Sequence, residues 1–175
     1  GEWLRILEVT GQVILVPPYF ENFGKRLIKS PKVFLADSGL ACHLLGIESE
    51  KMLTQSPFLG AIFEGFVASE INKQQINSGR PKEIYYFRDQ QGLEVDFLVP
   101  SGHRELFLLE TKASRTAMPQ MAASIHRLSN SISNYKVRSF LVFNPAKEAI
   151  TISALRPGIK AVSVKDLLSV LSVGH

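Results

Sequence analysis

Two neighbouring segments, Glu94-Val-Asp-Phe-Leu-Val99 and Leu106-Phe-Leu-Leu-Glu-Thr-Lys112, decide how this chain is read. Between them lies Pro100-Ser-Gly-His103, which is turn chemistry. Strand alternation puts Leu93, Val95, Phe97 and Val99 on one face of the first strand and Glu94, Asp96 and Leu98 on the other. On the second strand Leu106, Leu108, Glu110 and Lys112 share a face. A hairpin turning about residues 102 to 104 sets Asp96 across from the neighbourhood of Glu110, and directly opposed residues have Cβ atoms about 5 Å apart. Two carboxylates that close, among Leu, Val and Phe, repel each other and lose hydration, so something must compensate. Lys112, two residues from Glu110 on the same side, is a partial answer. A hard cation is the fuller one, because Mg²⁺ (or Mn²⁺) accepts one or two carboxylates and keeps several waters for substrate phosphate.

That arrangement predicts phosphodiester hydrolysis. The metal would polarise a phosphoryl oxygen and lower the pKa of a bound water, and a lysine beside it would orient that water or steady the developing charge. Asp96 and Glu110 are then the metal ligands and Lys112 the orienting cation. Taken singly, a Glu-x-Lys pair at a strand end also suits a solvated edge, and an aspartate also suits a turn cap. The combination at hairpin spacing favours a site.

Outward from this hairpin, apolar residues Ile62, Phe63, Phe66, Val67 and Ile71 recur at helical spacing and predict a helix from about Gly60 to Gln75. Asn77-Ser-Gly-Arg-Pro81 breaks it. Strands follow at Glu83 to Arg88, Leu93 to Val99 and Glu105 to Thr111, the first pair separated by Asp89-Gln-Gln-Gly92. Short loops between consecutive strands make an antiparallel meander. Towards the C-terminus the pattern predicts a helix over Pro119 to Ser129, strands over Val137 to Phe143 and Ala149 to Ser153, and a helix over Asp166 to Val173. Towards the N-terminus a helix stops near Thr10-Gly11, where glycine is the usual end signal. Strands follow at Val13 to Val16 and Lys32 to Ala36, then a helix over Gly39 to Leu45 with Asp37-Ser38 in capping position. Helix followed by a two-stranded ribbon has the shape of a winged-helix end. The chain divides at about residue 57 into a winged-helix-like segment, 1–57, and an α/β domain with a mixed sheet flanked by helices, 58–175.

Asp96 followed by Glu110-Thr111-Lys112 resembles the signature of the PD-(D/E)xK nuclease superfamily, which includes restriction endonucleases, Holliday-junction resolvases and RecB-type nucleases. The resemblance implies a restriction-endonuclease-like fold. It also implies a further acid from the helix before the meander, where Gly60-Ala-Ile-Phe-Glu-Gly-Phe-Val-Ala-Ser-Glu70 offers Glu64. Glu70 lies six residues on and faces elsewhere. The order Pro31-Lys-Val-Phe-Leu-Ala-Asp-Ser-Gly-Leu40, Gly60 to Glu70, Tyr85-Tyr-Phe-Arg88, Glu94-Val-Asp-Phe97 and Glu110-Thr-Lys112 is similar to a C-terminal domain attached to AAA-type, archaeal-ATPase-like P-loop proteins of bacteria and archaea. The similarity implies a P-loop ATPase module on the N-terminal side, with residues 1–57 near the joint. Val95 stands where the superfamily has proline before the aspartate. The implied activity is Mg²⁺-dependent nuclease chemistry on DNA or RNA. The alternative is a catalytically inactive module of the same fold that binds nucleic acid or a protein partner for the ATPase.

Composition sets the outer limits. With 175 residues, 45% of them hydrophobic, the chain can bury a core, and with 21% charged it is not a disordered polyelectrolyte. The net charge of +4 is compatible with a nucleic-acid partner but common without one. One cysteine, Cys42 in an apolar stretch, excludes an internal disulfide and reads as a buried thiol. No run reaches the roughly 18 apolar residues of a membrane span, and no signal-peptide layout is present, so a reducing cytoplasm is expected. No GxxxxGK[ST] loop occurs, hence no Walker-type ATP site within this chain. The abrupt start in helix, Gly1-Glu-Trp-Leu4, is expected of a piece of something larger, with Trp3 packing at a domain joint.

Among other charges, Arg88 suits either a phosphate contact or an ion pair with Asp89, Glu94 or a site acid. Lys25, Arg26, Lys29 and Lys32 form a basic cluster in the wing, suited to backbone phosphates or to a plain solvated loop. Gln120 lies on the helix after the site, within potential reach of substrate. The four histidines have no ligand spacing.

Overall fold

The computed structural model describes residues 2–19, 30–102, 104–146 and 153–173. Helix α1 (Glu2–Val9) leads into a two-stranded antiparallel ribbon of β1 (Val13–Val16) and β2 (Lys32–Leu35), with Val16 opposite Lys32. Gly11, at φ 73°, makes the exit from α1 that a side chain would resist. Asp37 caps α2 (Ser38–Leu44) by accepting from the Leu40 amide, and a short α3 (Glu50–Gln55) precedes the long α4 (Leu59–Asn77). The meander β3 (Tyr85–Arg88), β4 (Glu94–Ser101) and β5 (Glu105–Lys112) follows. Next come α5 (Ala123–Ser129), β6 (Lys136–Phe143), β7 (Ser153–Arg156), β8 (Ile159–Val162) and α6 (Val164–Val173).

Strands β3 to β8 form a six-stranded mixed sheet in the order β3-β4-β5-β6-β8-β7. The meander is antiparallel, β5, β6 and β8 run parallel, and β7 returns antiparallel at the edge. The expected mixed α/β architecture, a sheet flanked by helices with a small helix-and-ribbon segment at the N-terminus, is the one observed. β5 is central and buried on both faces, as its unbroken Leu106-Phe-Leu-Leu109 run requires. Phe107 and Leu109 pack with Val67 and Ile71 of α4 and Leu167 and Leu171 of α6. Leu106 and Leu108 pack on the opposite layer with Ala122, Ile125 and Leu128 beneath α5.

Several expectations need correction. Strict alternation grouped Val95 with Phe97, yet Val95 packs in the α5 layer with Leu98 while Phe97 and Val99 line the α4 layer. The cause is a bulge: two steps along β3, Tyr85 to Phe87, match three along β4, Leu98 to Val95. An extra residue on one strand turns the pleat over. The expected strand over Ala149 to Ser153 has its observed counterpart at Ser153–Arg156, and residues 147–152 lie outside the described residues. β8 and α3 were not foreseen. The helix expected from Pro119 begins as a 3₁₀ turn over Pro119–Ala122. Trp3 is 80% exposed and no residue of α1 is buried, so the expectation that it packs at a joint with another module is not tested within this chain.

The ribbon docks on the α4 side of the sheet. Phe34 stacks obliquely on Phe97 with ring centroids 6.0 Å apart, and Ser69 Oγ donates to the Ala36 carbonyl at 2.7 Å. Phe34 lies against Gly65, where a Cβ would make a van der Waals contact 3.4 Å from its ring. Along the sheet edge Tyr19 N donates to the Tyr86 carbonyl and Tyr86 N to the Pro17 carbonyl.

Candidate functional site

β4 and β5 pair from Ser101↔Glu105 to Phe97↔Leu109. One step further, Asp96 takes over the ladder's role: its Oδ2 accepts from both the amide and the hydroxyl of Thr111, each at 2.8 Å. The bulge in β4 falls at this point, so the aspartate is held in a fork between strands rather than on a regular pleat.

The other sequence-predicted residues converge on the same fork. Glu110 Oε1 accepts from Lys112 Nζ at 2.8 Å. Glu110 is only 7% exposed, and its Oε2 is buried without a hydrogen-bond partner. Burial first, and then the charge of Asp96, push the Glu110 pKa up to about 7. Glu64 projects from α4, and burial followed by the Asp96 charge raises its pKa above the usual carboxylate range. Burial alone would lower the Lys112 pKa, but the hydrogen bond and charge of Glu110 more than reverse it.

Two residues complete the group that sequence reading did not assign to it. Lys32, read there as part of a basic wing, sends its ammonium into the acids. Nζ lies 2.7 Å from Glu64 Oε1, 2.7 Å from Glu94 Oε1 and 3.6 Å from Asp96 Oδ1, and 5.3 Å from the centre of the Tyr86 ring. Burial opposes its charge, but Glu64 and Asp96 outweigh burial and hold its pKa above the ordinary lysine value. Glu94 is the second. Its two-residue spacing from Asp96 was a usable signal; the partnership with Lys32 had none, because it joins positions far apart in sequence.

Arg88 takes the ion-pair reading, with Nε 3.4 Å from Glu94 Oε2. Glu70 pairs with Lys73 at 2.9 Å, away from the fork. Gln120 is exposed. Lys25, Arg26 and Lys29 lie outside the described residues. Cys42 is half-buried rather than buried, and it lines a cleft of about 720 Å³ with Phe63, Phe66, Phe143 and Arg115. No helix among the described residues is long and apolar enough to cross a membrane.

Two oxygens here could take part in holding a hard divalent cation. Glu110 Oε2 is a buried oxygen without a partner, and Asp96 Oδ1 is left over from the Thr111 bonds. Among the described residues no three Asp, Glu, His or Cys side chains form a ligand cage. Two carboxylates fit an ion that retains most of its waters, as Mg²⁺ does.

Two curated relatives, uncharacterized proteins of Mycobacterium tuberculosis and Mycobacterium bovis, are each 38% identical over 108 residues. The aligned part is 62% of this chain and 23% of each relative, so the chain spans about a quarter of the length of the curated relatives it matches. Residues 1–51 match a family described as Domain of unknown function (DUF8612), which includes Lys32. Residues 59–167 match another, Domain of unknown function (DUF4143), which includes Glu64, Glu94, Asp96, Glu110 and Lys112. The second match covers more than half of the 175 residues, and the chain belongs to the DUF4143 family.

Proposed function

We propose that this domain is a metal-dependent nuclease-type hydrolase of PD-(D/E)xK kind, cleaving phosphodiester bonds of DNA or RNA as the C-terminal part of a larger AAA-type ATPase. The observation that carries this reading is the fork at Asp96, where acids from α4, β4 and β5 meet a lysine two residues from one of them. Asp96 and Glu110 would hold Mg²⁺ or Mn²⁺. When bound, such an ion supplies Lewis-acid stabilisation of a phosphoryl oxygen and a more acidic water. The chain's own groups do the rest. Thr111 fixes the Asp96 carboxylate through two hydrogen bonds, which leaves Oδ1 directed to the site. Lys112, tethered to Glu110 and partly exposed, can orient the attacking water and oppose charge building on the phosphate. Glu64 adds negative charge that favours a cation in the fork.

The test is cleavage of plasmid and single-stranded DNA in Mg²⁺ by the wild type and by Lys112→Ala. Loss of one stabilising cation should slow cleavage by roughly 10² to 10³. Equal rates would show that any cutting comes from another source.

One observation favours a second reading. The Lys32 ammonium already satisfies Glu64 and Glu94, as it would in a nuclease-fold module that binds nucleic acid or a protein partner for the ATPase without cutting. Binding of labelled DNA by wild type and Lys112→Ala, with no cleavage by either in Mg²⁺ or Mn²⁺, would select that reading.

A further inference from the structure

Lys32 comes from β2, within the segment 1–51, whereas every acid it touches lies within 59–167. It is the first residue of β2, paired with Val16 at the end of the ribbon ladder, so its stem leaves the ribbon at an end and not from the middle. The ammonium bonds Glu64 and Glu94 and stands 3.6 Å from the one Asp96 oxygen that Thr111 does not engage. Four acids and three cations face this point: Glu64 from α4, Glu94 and Asp96 from β4, Glu110 from β5, with Lys32 from β2, Arg88 from β3 and Lys112 from β5. Of the three cations, Lys32 alone touches acids from both α4 and β4. Arg88 and Lys112 each bond a residue of their own hairpin. A divalent ion on Asp96 and Glu110 would bring a second positive charge close to that ammonium in a half-buried setting, where like charges repel strongly. The buried, unpartnered Glu110 Oε2 shows that Lys32 does not satisfy the whole cluster.

We propose that Lys32 is a tethered counter-ion that competes with the divalent cation for the acid fork, so that the N-terminal ribbon sets how readily the site takes its metal. This rests on the metal-site reading above. Metal entry displaces the ammonium from Glu64 and Glu94, and the freed lysine end of β2 loosens. Any partner that pulls the ribbon outward thereby primes the site, and one that presses it inward closes it.

The experiment is Mn²⁺ binding by calorimetry and electron paramagnetic resonance on the 175-residue chain, as wild type, Lys32→Met, Lys32→Gln and, as a control, Asp96→Asn. Hydrogen exchange of the wild type with and without saturating Mn²⁺ accompanies it. Both Lys32 variants should bind Mn²⁺ at least about tenfold more tightly than wild type, because a fixed neighbouring positive charge is gone. In the wild type, Mn²⁺ should speed exchange at β2 while slowing it around Thr111. The exchange result stands on the wild type alone if neither Lys32 variant folds. Equal or weaker binding by the variants, or unchanged exchange at β2, would overturn the competition while Asp96-dependent binding kept the metal site. Absence of Mn²⁺ binding in every form would overturn the metal site and the competition with it.

Discussion

Two aspartates on the same hairpin path hold backbone amides in nearly the same way and have opposite characters. Asp89, 2% exposed, closes the turn between β3 and β4, its Oδ1 accepting from the amides of Gln91 and Leu93 at 2.9 Å each. Asp96 accepts from the amide and hydroxyl of Thr111 on the next strand. The amides that Asp89 Oδ1 holds lie two and four residues away and belong to its own loop. Those of Asp96 come from β5, and its charged neighbours from α4, β2 and β5. A carboxylate that holds the amides of its own turn is a structural fastener. One whose surroundings must be assembled from distant elements, with more acids than the backbone can satisfy, is the candidate for chemistry.

The comparison is broken most severely at Asp96. Asp96→Asn keeps an oxygen for Thr111 and removes the charge, so the fold should survive while Mn²⁺ affinity and cleavage drop by two orders of magnitude or more. Calorimetry beside a melting curve separates the two; a variant that melts early and still binds metal would place Asp96 with the fasteners.

Glu110 sharpens it through pH. A free glutamate releases its proton near 4.5, Glu110 in the fold near about 7. Between those values the folded chain holds a proton that the unfolded chain has lost, so stability falls as pH rises through the window, by up to roughly 3 kcal/mol. Denaturant midpoints taken from pH 4.5 to about 7 should show this decline in the wild type and a smaller one in Glu110→Gln, where the raised Glu64 still contributes. Saturating Mg²⁺ should flatten it as well.

The smaller effect is on the other aspartate. Asp89→Ala strands two turn amides and should cost roughly 2 kcal/mol of unfolding free energy, with Mn²⁺ binding per folded molecule unchanged. A matching loss of metal affinity would mean that the turn and the fork are one unit.

Much of the sheet was legible because its periods are strong. The Leu106-Phe-Leu-Leu run announced a strand, and Pro100-Ser-Gly-His103 its turn, so Glu110 and Lys112 were placed on the right strand beside Asp96. Two features resisted for physical reasons. The bulge at Asp96–Phe97 depends on how β4 meets β3, and a strand read alone carries no sign of its partner's register. The placement of Lys32 depends on the ribbon docking against Gly65 and Ser69 of α4, a tertiary contact between segments more than 30 residues apart. Read locally, Lys32 is one of several basic residues in a polar stretch. Only the docked ribbon shows which acids its ammonium meets.

The bulge also acts as a phase shifter written into β4. Upstream of it the pleat runs in one frame and downstream in the other, so both hydrophobic layers are filled although the residue count is uneven. Deleting Phe97, which leaves Asp96 in the chain, would restore a single frame along β4 and reset how Asp96 meets β5. A relative that has abandoned the site need not have mutated any of its acids. A missing residue in β4, silent to any tally of conserved side chains, would be scar enough.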